Sequence, residues 1–546
     1  MNNIFNKLTE SLSEEFKKYD LDEVVQLSLS KLPEYDLQIN NLVKYNKNKF
    51  FKELQDNIVK EINKSKIFQT VEKNNVGFIN LNLNHKFLTK KITNTQSDFK
   101  HKQSKKIIFD YGGPNIGKPL HVGHMRTLNI GRSLYNIHSF IGNEVTSDIH
   151  LGDWGMPIAQ IITYLEKKDI SVKTLDSNQL EVIYPKASQE YKENKIFNAR
   201  AQEVNKLLNN KDADLLKIWK SIKDISIKNL EENFKILGHN FDYWLGESDV
   251  NDLIPRMIKN LTKNKKVIED NKALISAEDT DPKILITKSD GSYLYITTDL
   301  ATILYRQENI GYDKIFYIVD NRQSLHFKQL FSSIKFFEFN ELDHEHISYG
   351  TLNDSQGNPF KTRDGGTKPL GELYEETYNY IEKINKSLDE FTISQLTNSV
   401  LTYSDLITNR KTDYKFDIEK FTNVNGKTGI YVQYSQVRAK KLLENITHQN
   451  IESNKLILND TDKTLLSKLF LFGYFLEQSA VLNEPHHLAN YLYEISNLFN
   501  QFYEDEKISE LKDSNQIYSK LFMINLFLKT SHNVMFCLGF NPVEEM

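Results

Sequence analysis

Residues 110–126 read DYGGPNIGKPLHVGHMR and connect the end of an apolar run to the start of an amphipathic segment. The run 107–109 before them has the β-branched and aromatic character of a buried parallel strand. Apolar residues that suit a helix follow at Leu128, Ile130, Leu134 and Ile137. We therefore predict a strand, a turn containing glycine and a helix whose N-terminus faces a phosphate or a nucleotide.

Two histidines, His121 and His124, lie at the start of the predicted helix. A spacing of three places both on one face of the first turn, and Gly123 between them leaves the backbone open to a flat ligand such as adenine. Pro119 fits near the first turn, where a missing N–H costs nothing. HVGH alone can also occur at a helix start by chance, so this interpretation needs support from other segments.

The composition is typical of a soluble globular protein: 546 residues, 39% hydrophobic, 26% charged and a net charge of −4. This length predicts about three or four domains. The single cysteine, Cys537, excludes internal disulfides and a cysteine-based zinc site, and we predict no protein-held metal. We find no run of about eighteen apolar residues and no signal or transit peptide, so we expect a cytoplasmic enzyme without membrane contact.

The chain divides into three predicted domains. Residues 1–100 mix helical periodicity with one alternating stretch, and a polar, lysine-rich linker follows at 93–104. Strands alternate with helices over 105–375, which predicts an α/β domain with a parallel sheet between helices. Its polar stretch 166–240 predicts a helical insertion. Residues 376–546 have helical periodicity almost throughout.

Six segments have strand character. Alternating apolar residues at 76–84 predict a strand with one buried face in the first domain. The segments predicted as strands within 105–375 are 106–111, 144–149, 283–286, 293–296 and 314–319.

Several further segments, in their order and spacing, resemble the arginyl-tRNA synthetases, a family of class I aminoacyl-tRNA synthetases, over essentially the full length. These segments are GGPNIGKPLHVGHMRTLNIGRSL (112–134), HLGDWGMPIAQ (150–160), FDYWLGESD (241–249), SDGSYLYITTDLA (289–301), YIVDNRQSLHFKQLF (317–331), PFKTRDGG (359–366), NGKTGIYVQYSQVRAK (425–440) and LGFNPVEEM (538–546). The resemblance implies a Rossmann-like catalytic domain of the HIGH type. It also implies an α+β N-terminal domain that contacts the tRNA elbow and an all-α C-terminal domain that binds the anticodon.

The activity implied by the resemblance is that of an arginine–tRNA ligase. Arginine and ATP, with Mg²⁺, form arginyl-adenylate and pyrophosphate, and the arginyl group then passes to the terminal adenosine of tRNA(Arg), initially to its 2′-hydroxyl. This chemistry needs positioning and placed positive charge rather than an enzyme nucleophile. The implied catalytic residues are His121, His124 and Lys118, and Gly123 is a further implied ATP contact.

One segment departs from the class I pattern. The usual KMSKS signature supplies a lysine to the phosphates, but PFKTR has Thr362 at that position. Lys118, just before HVGH, matches a substitution known in the family, although it could also be a solvated loop lysine. Lys361 and Arg363 are also implied ATP contacts. Which of these basic residues replaces the missing lysine stays open.

The resemblance also implies where arginine binds. A planar guanidinium meets carboxylates in bidentate fashion, so a carboxylate pair is expected, and Asp299 and Glu247 match the family positions. Tyr295 is expected to cover the substrate side chain and Gln323 to form a hydrogen bond with it. The remaining implied arginine contacts are Gly113, Pro114, Asn115 and His124. A site built around polar groups rejects poor substrates strongly, so we expect no editing domain.

Contacts with tRNA are expected mainly in the C-terminal domain, where aromatic residues beside basic ones suit unstacked bases and phosphates. The implied contacts are Arg410, Lys411, Tyr431, Gln433 and Arg438. Tyr431 and Tyr434, three residues apart, could instead pack within the helical bundle. The family expectation is a monomer.

Three other functions would each fit part of the sequence. The change at Thr362 would fit an inactive tRNA-binding or regulatory paralogue, but such decay would rarely leave His121, His124 and Asp299 all present. A different nucleotidyltransferase on the same core would not explain HLGDWG or the long helical C-terminal region. A dehydrogenase is disfavoured because no GxGxxG follows the first strand.

Overall fold

The computed structural model describes residues 2–92, 103–277, 283–289, 291–339, 342–360, 368–446, 455–505 and 507–546. The N-terminal unit is a four-stranded antiparallel sheet, in the order β1-β2-β4-β3, together with three helices. Its elements are α1 (Asn2–Lys17), β1 (Leu27–Leu29), β2 (Leu37–Ile39), α2 (Phe51–Ser65), β3 (Phe68–Lys73), β4 (Ile79–Leu83) and α3 (His85–Ile92).

The strand predicted at 76–84 is shorter than expected. Strand β4 buries alternate residues, as predicted, but it begins only at Ile79. Gly77 has a φ of +117° and its N–H donates to Asn74 O, so residues 76–78 belong to a turn. The predicted linker 93–104 lies mostly outside the described residues.

The central unit contains a parallel sheet in the order β11-β10-β5-β6. Its elements are β5 (Lys106–Tyr111), α4 (Val122–Phe140), β6 (Glu144–Asp148), α5 (Met156–Lys168), α6 (Ser177–Glu193), α7 (Lys195–Asn209), α8 (Ala213–Leu237), α9 (Glu247–Val250), α10 (Ile254–Lys263), β7 (Val267–Asp270), β8 (Ala273–Ser276), β9 (Leu285–Thr287), α11 (Tyr295–Asn309), β10 (Lys314–Ile318), α12 (Ser324–Phe336), β11 (Asp343–His346) and β12 (Leu352–Asn353). Strands β5, β6 and β10 confirm three predictions, and α6–α8 confirm the helical insertion.

The other two strand predictions in this unit have different outcomes. Strand β9 exists, but it joins β7 and β8 in a separate antiparallel sheet. Residues 293–296 were wrongly predicted as a strand, because helix α11 begins at Tyr295. The helix buries Thr297 and Leu300, and Thr297 Oγ1 donates to Ile286 O at 2.5 Å. Tertiary packing therefore overrides the β propensity of the aromatic and β-branched run.

The C-terminal unit is almost wholly helical, as predicted. Its elements are α13 (Leu370–Ile384), α14 (Glu390–Leu406), β13 (Tyr414–Lys415), α15 (Ile418–Phe421), α16 (Gly429–Ile446), α17 (Asp460–Phe470), α18 (Phe472–Leu482), α19 (His486–Asp505) and α20 (Ser514–Leu538). A buried ion pair, Arg126 Nε to Asp405 Oδ1 at 2.9 Å, joins α14 to α4 of the central unit. The helix that begins beside His121 is thus fixed directly to the C-terminal unit.

Two helical stretches in the described part of the chain are long and apolar enough to cross a membrane, judged by length and composition alone. They are Asp460–Leu482 and Ser514–Leu538. Neither is an unbroken run of about eighteen apolar residues, because Lys468 and Glu477 interrupt the first and Lys520 and Lys529 interrupt the second. The protein buries 67% of the apolar window in the first and 50% in the second. Because core helices of a folded domain have the same composition, these stretches are weak evidence for a membrane.

Candidate active site

The turn between β5 and α4 is shaped by glycines. Gly112 and Gly113 have φ values of +96° and +42°, a region that residues with a Cβ disfavour. The backbone on either side of Asn115 exchanges two hydrogen bonds of 3.1 Å with Gly152. A Cβ at Gly152 would lie 2.0 Å from Asn115 Oδ1, so the glycine leaves room for the Asn115 side chain. Helix α4 begins only at Val122, so Pro119 lies before its first turn rather than within it.

The two histidines face each other at the start of α4, as predicted. Their ring centroids are 4.0 Å apart, and the His121 backbone N–H donates to His124 Nδ1 at 3.1 Å. Neutral His124 therefore carries its proton on Nε2. A Cβ at Gly123 would approach His121 Nδ1 to 2.9 Å, so this glycine accommodates the His121 ring.

Both imidazoles are uncharged at neutral pH. Burial, aided by the nearby Lys118 ammonium, lowers the pKa of His121 to about 4. Burial, with contributions from His121 and Lys118, lowers the pKa of His124 to about 3. The histidines thus offer N–H donors to a ligand and carry no positive charge of their own. Lys118 is exposed beside them.

The segment after the PFKTR motif packs on residues 118–124, which carry His121 and His124 and are called the histidine turn. Lys368 O accepts a hydrogen bond from Val122 N at 3.0 Å, and Leu370 N donates to Leu120 O at 2.9 Å. Lys368 N in turn donates to Phe360 O at 3.5 Å, so the described residues on either side of 361–367 lie together at this turn. Lys361, Thr362 and Arg363 themselves lie outside the described residues.

A cavity of about 1230 Å³ opens beside the turn and is lined in part by Asn115, Glu247 and Tyr295. Three of the predicted arginine contacts, from different segments, are thus brought together. Its volume exceeds that of a typical small-ligand pocket. Tyr295 is 73% exposed, in keeping with a ring that covers a ligand rather than one packed in the core. Gln323 is exposed at the start of α12.

The predicted carboxylates, Glu247 on α9 and Asp299 on α11, have different partners. Burial, with the nearby negative charges of Asp153 and Asp299, raises the pKa of Glu247 to about 8. Asp299 Oδ2 lies 2.6 Å from His326 Nε2 on α12, and this contact raises the pKa of His326. Glu247 forms no ion pair with any described residue, so its carboxyl group lacks the cation that its ionised form needs.

The remaining predicted arginine contacts, Gly113, Pro114 and Asn115, are in the turn between β5 and α4. The Gly113 N–H donates to Ile149 O at 2.9 Å, so this N–H is already used within the fold. Pro114 is buried, whereas Asn115 is exposed to the cavity.

Asp153, which was not among the predicted site residues, fixes the residue that follows Glu247. Asp153 is fully buried and accepts hydrogen bonds from Ser248 N at 2.8 Å and Ser248 Oγ at 2.6 Å. Lys223 Nζ, on insertion helix α8, lies 2.6 Å from Asp153 Oδ2. A Cβ at Gly246 would meet the Asp153 carboxylate at 2.6 Å. In the sequence, Asp153 lies in the segment GDWG and Ser248 in the segment GES. Only the fold shows that these two segments are in contact.

A second buried group was also missed. Arg306 on α11 is fully buried and its Nη2 lies 2.6 Å from both Asp110 Oδ2 and Asp148 Oδ2. These carboxylates are at the ends of β5 and β6. Arg306 therefore connects the helix that carries Tyr295 and Asp299 to the strand that leads into the histidine turn.

The predicted tRNA contacts fall into two sets. Arg410 is buried, with Nε donating to Asn483 O at 2.7 Å and a second contact to Ser348 O. Gln433 is fully buried and its amide donates to Ser399 Oγ at 2.8 Å. Because these groups are used inside the protein, the expectation that they contact tRNA does not fit their environment.

Lys411, Tyr431 and Arg438 are more accessible. Lys411 is 60% exposed and pairs with Glu484 at 2.9 Å. Arg438 lies over the Tyr434 ring at 4.7 Å, and Tyr431 packs on Tyr493 at 5.4 Å. Tyr431 therefore fits the packing alternative at least in part.

The parallel sheet, the histidine turn and the helical C-terminal unit together define a class I tRNA synthetase. The family model for the catalytic domain of "tRNA synthetases class I (R)" matches residues 85–418, and the DALR anticodon binding domain model matches 432–546.

The arginine–tRNA ligase of Francisella tularensis subsp. novicida is 33% identical over 502 residues, which cover 86% of each chain. That of Alkaliphilus oremlandii is 33% identical over 508 residues, again 86% of each chain. The chain belongs to the arginine–tRNA ligase family.

Solved structures show the same fold. The arginyl-tRNA synthetase of Plasmodium falciparum has a TM-score of 0.84 at 23% identity, covering 99% of both chains. That of Thermus thermophilus has a TM-score of 0.82 at 18% identity, covering 99% of this chain and 100% of the other. None of these comparisons supports the inactive paralogue.

Proposed function

We propose that the cavity binds arginine with its guanidinium between Glu247 and Asp299 and its α-amino or carboxylate end towards Asn115. The observation that carries this proposal is the pair of half-buried carboxyl groups beside the cavity, of which Glu247 has no cation among the described residues. A guanidinium is planar, permanently charged and able to contact two carboxylates with separate N–H groups. A lysine ammonium offers a single point of charge and fits this pair less well.

The ATP phosphates would lie against His121, His124 and Lys118. In adenylate formation an arginine carboxylate oxygen attacks the α-phosphorus, the bond to the bridging oxygen breaks, and pyrophosphate leaves. The neutral imidazoles would donate N–H groups to phosphate oxygens, and Lys118 would supply positive charge as the charge of the leaving group develops. Mg²⁺ would arrive with ATP. Gly123, Lys361 and Arg363 remain predicted ATP contacts.

The second step transfers the arginyl group to tRNA. The ribose hydroxyl attacks the adenylate carbonyl and AMP leaves. Lys411, Tyr431 and Arg438 remain candidates for contacts with the anticodon region, and the N-terminal unit remains a candidate for the tRNA elbow. A monomer in the cytoplasm, without membrane contact, completes the proposal.

The proposed substrate is tested by ATP–pyrophosphate exchange with each of the twenty amino acids, with and without tRNA(Arg). We expect exchange with arginine above all others. Exchange that favours another amino acid, or none with arginine even when tRNA is present, would refute the proposal.

Replacing Lys118 by alanine is expected to slow adenylate formation at least tens-fold, the scale of losing one placed charge in the transition state. Single-turnover formation of arginyl-adenylate measures this step directly. Lys186→Ala, at an exposed lysine on α6, is the matched control and should react at the wild-type rate. A wild-type rate in the Lys118 variant would transfer the role to Lys361 or Arg363.

Arginine affinity is expected to rise with pH between 7 and 8.5. Burial and the neighbouring carboxylates raise the pKa of Glu247 to about 8, so a proton must leave before its carboxylate can meet the guanidinium. At pH 7 most Glu247 is protonated, and the dissociation constant should be roughly 5 to 10 times that at pH 8.5. Isothermal titration calorimetry in buffers of different ionisation enthalpy measures both the affinity and the released proton.

The control for this titration is Glu247→Gln, which cannot ionise. It should bind arginine more weakly at every pH and lose the proton release. An unchanged pH profile in this variant would mean that another group is responsible for the linkage.

A further inference from the structure

His326 occupies one side of the carboxylate that we assign to guanidinium recognition. It is on α12, lines the same cavity as Glu247 and Tyr295, and places Nε2 at 2.6 Å from Asp299 Oδ2. Its side chain is 29% exposed and that of Asp299 is 32% exposed. The pair therefore lies at the cavity wall rather than in the core.

The contact limits what Asp299 can offer a ligand. A carboxylate has two oxygens with about four lone pairs, and the imidazole N–H occupies one lone pair of Oδ2, so Oδ1 is the oxygen left with its full capacity for a second donor. A hydrogen bond from a fixed ring also holds the carboxylate in one orientation, so less freedom is lost when the substrate binds. Without the ring, the Asp299 side chain would lose this hydrogen bond and its fixed orientation.

Residues other than His326 are buried where α12 packs on the sheet. The adjacent Phe327 is buried against Tyr317 of β10, with ring centroids 5.1 Å apart, and Leu330 is fully buried on the same helix. These residues carry the packing of α12 on the sheet. The imidazole is 29% exposed at the cavity wall and is poorly placed to stabilise the core, so its contact with Asp299 calls for another explanation.

We propose that His326 is a positioning residue for arginine recognition, which orients Asp299 by donating Nε2–H to Oδ2 and presents Oδ1 to the guanidinium. The inference rests on the proposed arginine site. His326 contacts neither ATP nor the reacting carboxylate in this arrangement, so its role concerns substrate binding and not the chemical step.

The test compares His326→Ala and His326→Gln in the arginine-dependent exchange assay with tRNA(Arg) present. The alanine variant should raise the KM for arginine about tenfold or more, the scale of losing a hydrogen bond to a charged group. Its kcat and its KM for ATP should stay within about twofold of wild type. Glutamine places an amide N–H near the position of the imidazole Nε2–H and should restore most of the KM.

Lys335→Ala, at an exposed residue on the same helix, is the matched control and should leave both KM values unchanged. A normal arginine KM in His326→Ala, or a glutamine variant no better than alanine, would overturn the inference. So would a parallel rise of the KM for ATP, which would indicate general damage to the site. If the wild-type protein itself failed to activate arginine, the proposed function would fail instead.

Discussion

Alanine at position 299 is expected to lower kcat/KM for arginine activation by about 10³-fold or more while ATP binding persists. Asp299→Ala removes one of two carboxylates that meet the guanidinium and leaves the substrate cation partly buried without its partner. Nothing in the histidine turn changes, because Asp299 is on α11 and its described side-chain contact is His326. Steady-state exchange gives the arginine kinetics, and calorimetry with a non-hydrolysable ATP analogue gives the nucleotide affinity.

The control for this change is Glu308→Ala on the same helix. Glu308 forms an ion pair with Arg256 in which both side chains are about half exposed, so its removal should leave arginine kinetics unchanged. Asp299→Asn keeps the shape of the side chain and removes only its charge. It therefore shows how much of the loss in arginine activation comes from charge and how much from packing. Normal arginine kinetics in Asp299→Ala would refute the assignment of Asp299 to the guanidinium.

The β5–turn–α4 unit was predictable because its signals are local. A short apolar run gives way to helical periodicity, and the intervening glycines mark the turn, where Gly112 and Gly113 adopt positive φ. The three-residue spacing of His121 and His124 placed both rings on one face of the helix without knowledge of any distant contact.

The charge state of the histidines was not predictable in the same way. Their pKa values depend on burial and on the Lys118 ammonium nearby, which only the folded chain defines. The helix at Tyr295 was missed for a related reason, because the buried positions of α11 and not its propensities decide the local structure.

Long-range polar contacts were also outside the reach of the sequence. His326 and Asp299 are 27 residues apart and meet only because α11 and α12 pack side by side. Arg410 looked like a surface cation suited to RNA, yet the fold buries it against backbone carbonyls. A single sequence does not distinguish a buried arginine from an exposed one, because the difference lies in which segments surround it.

Replacing Arg306 by methionine is expected to destabilise the protein by about 3 to 5 kcal/mol, the cost of removing one partner from a buried ionic group. Methionine fills much of the same volume but leaves Asp110 and Asp148 facing each other without the guanidinium between them. The strand ends would then separate or take up protons, and α11 would lose its connection to them. Urea unfolding followed by fluorescence measures the loss of stability.

Arg256→Met is the control, because it makes the same replacement of arginine by methionine in an exposed ion pair. Arg256 is on α10 and pairs with Glu308, which is on α11 like Arg306. The Arg256 side chain is 52% exposed, so we expect a loss of no more than about 1 kcal/mol. Because Asp299 and Tyr295 are also on α11, Arg306→Met should weaken arginine binding in the fraction that remains folded. Equal losses of stability in the two variants would show that Arg306 contributes no more than a surface ion pair, and that other contacts position α11 over the cavity.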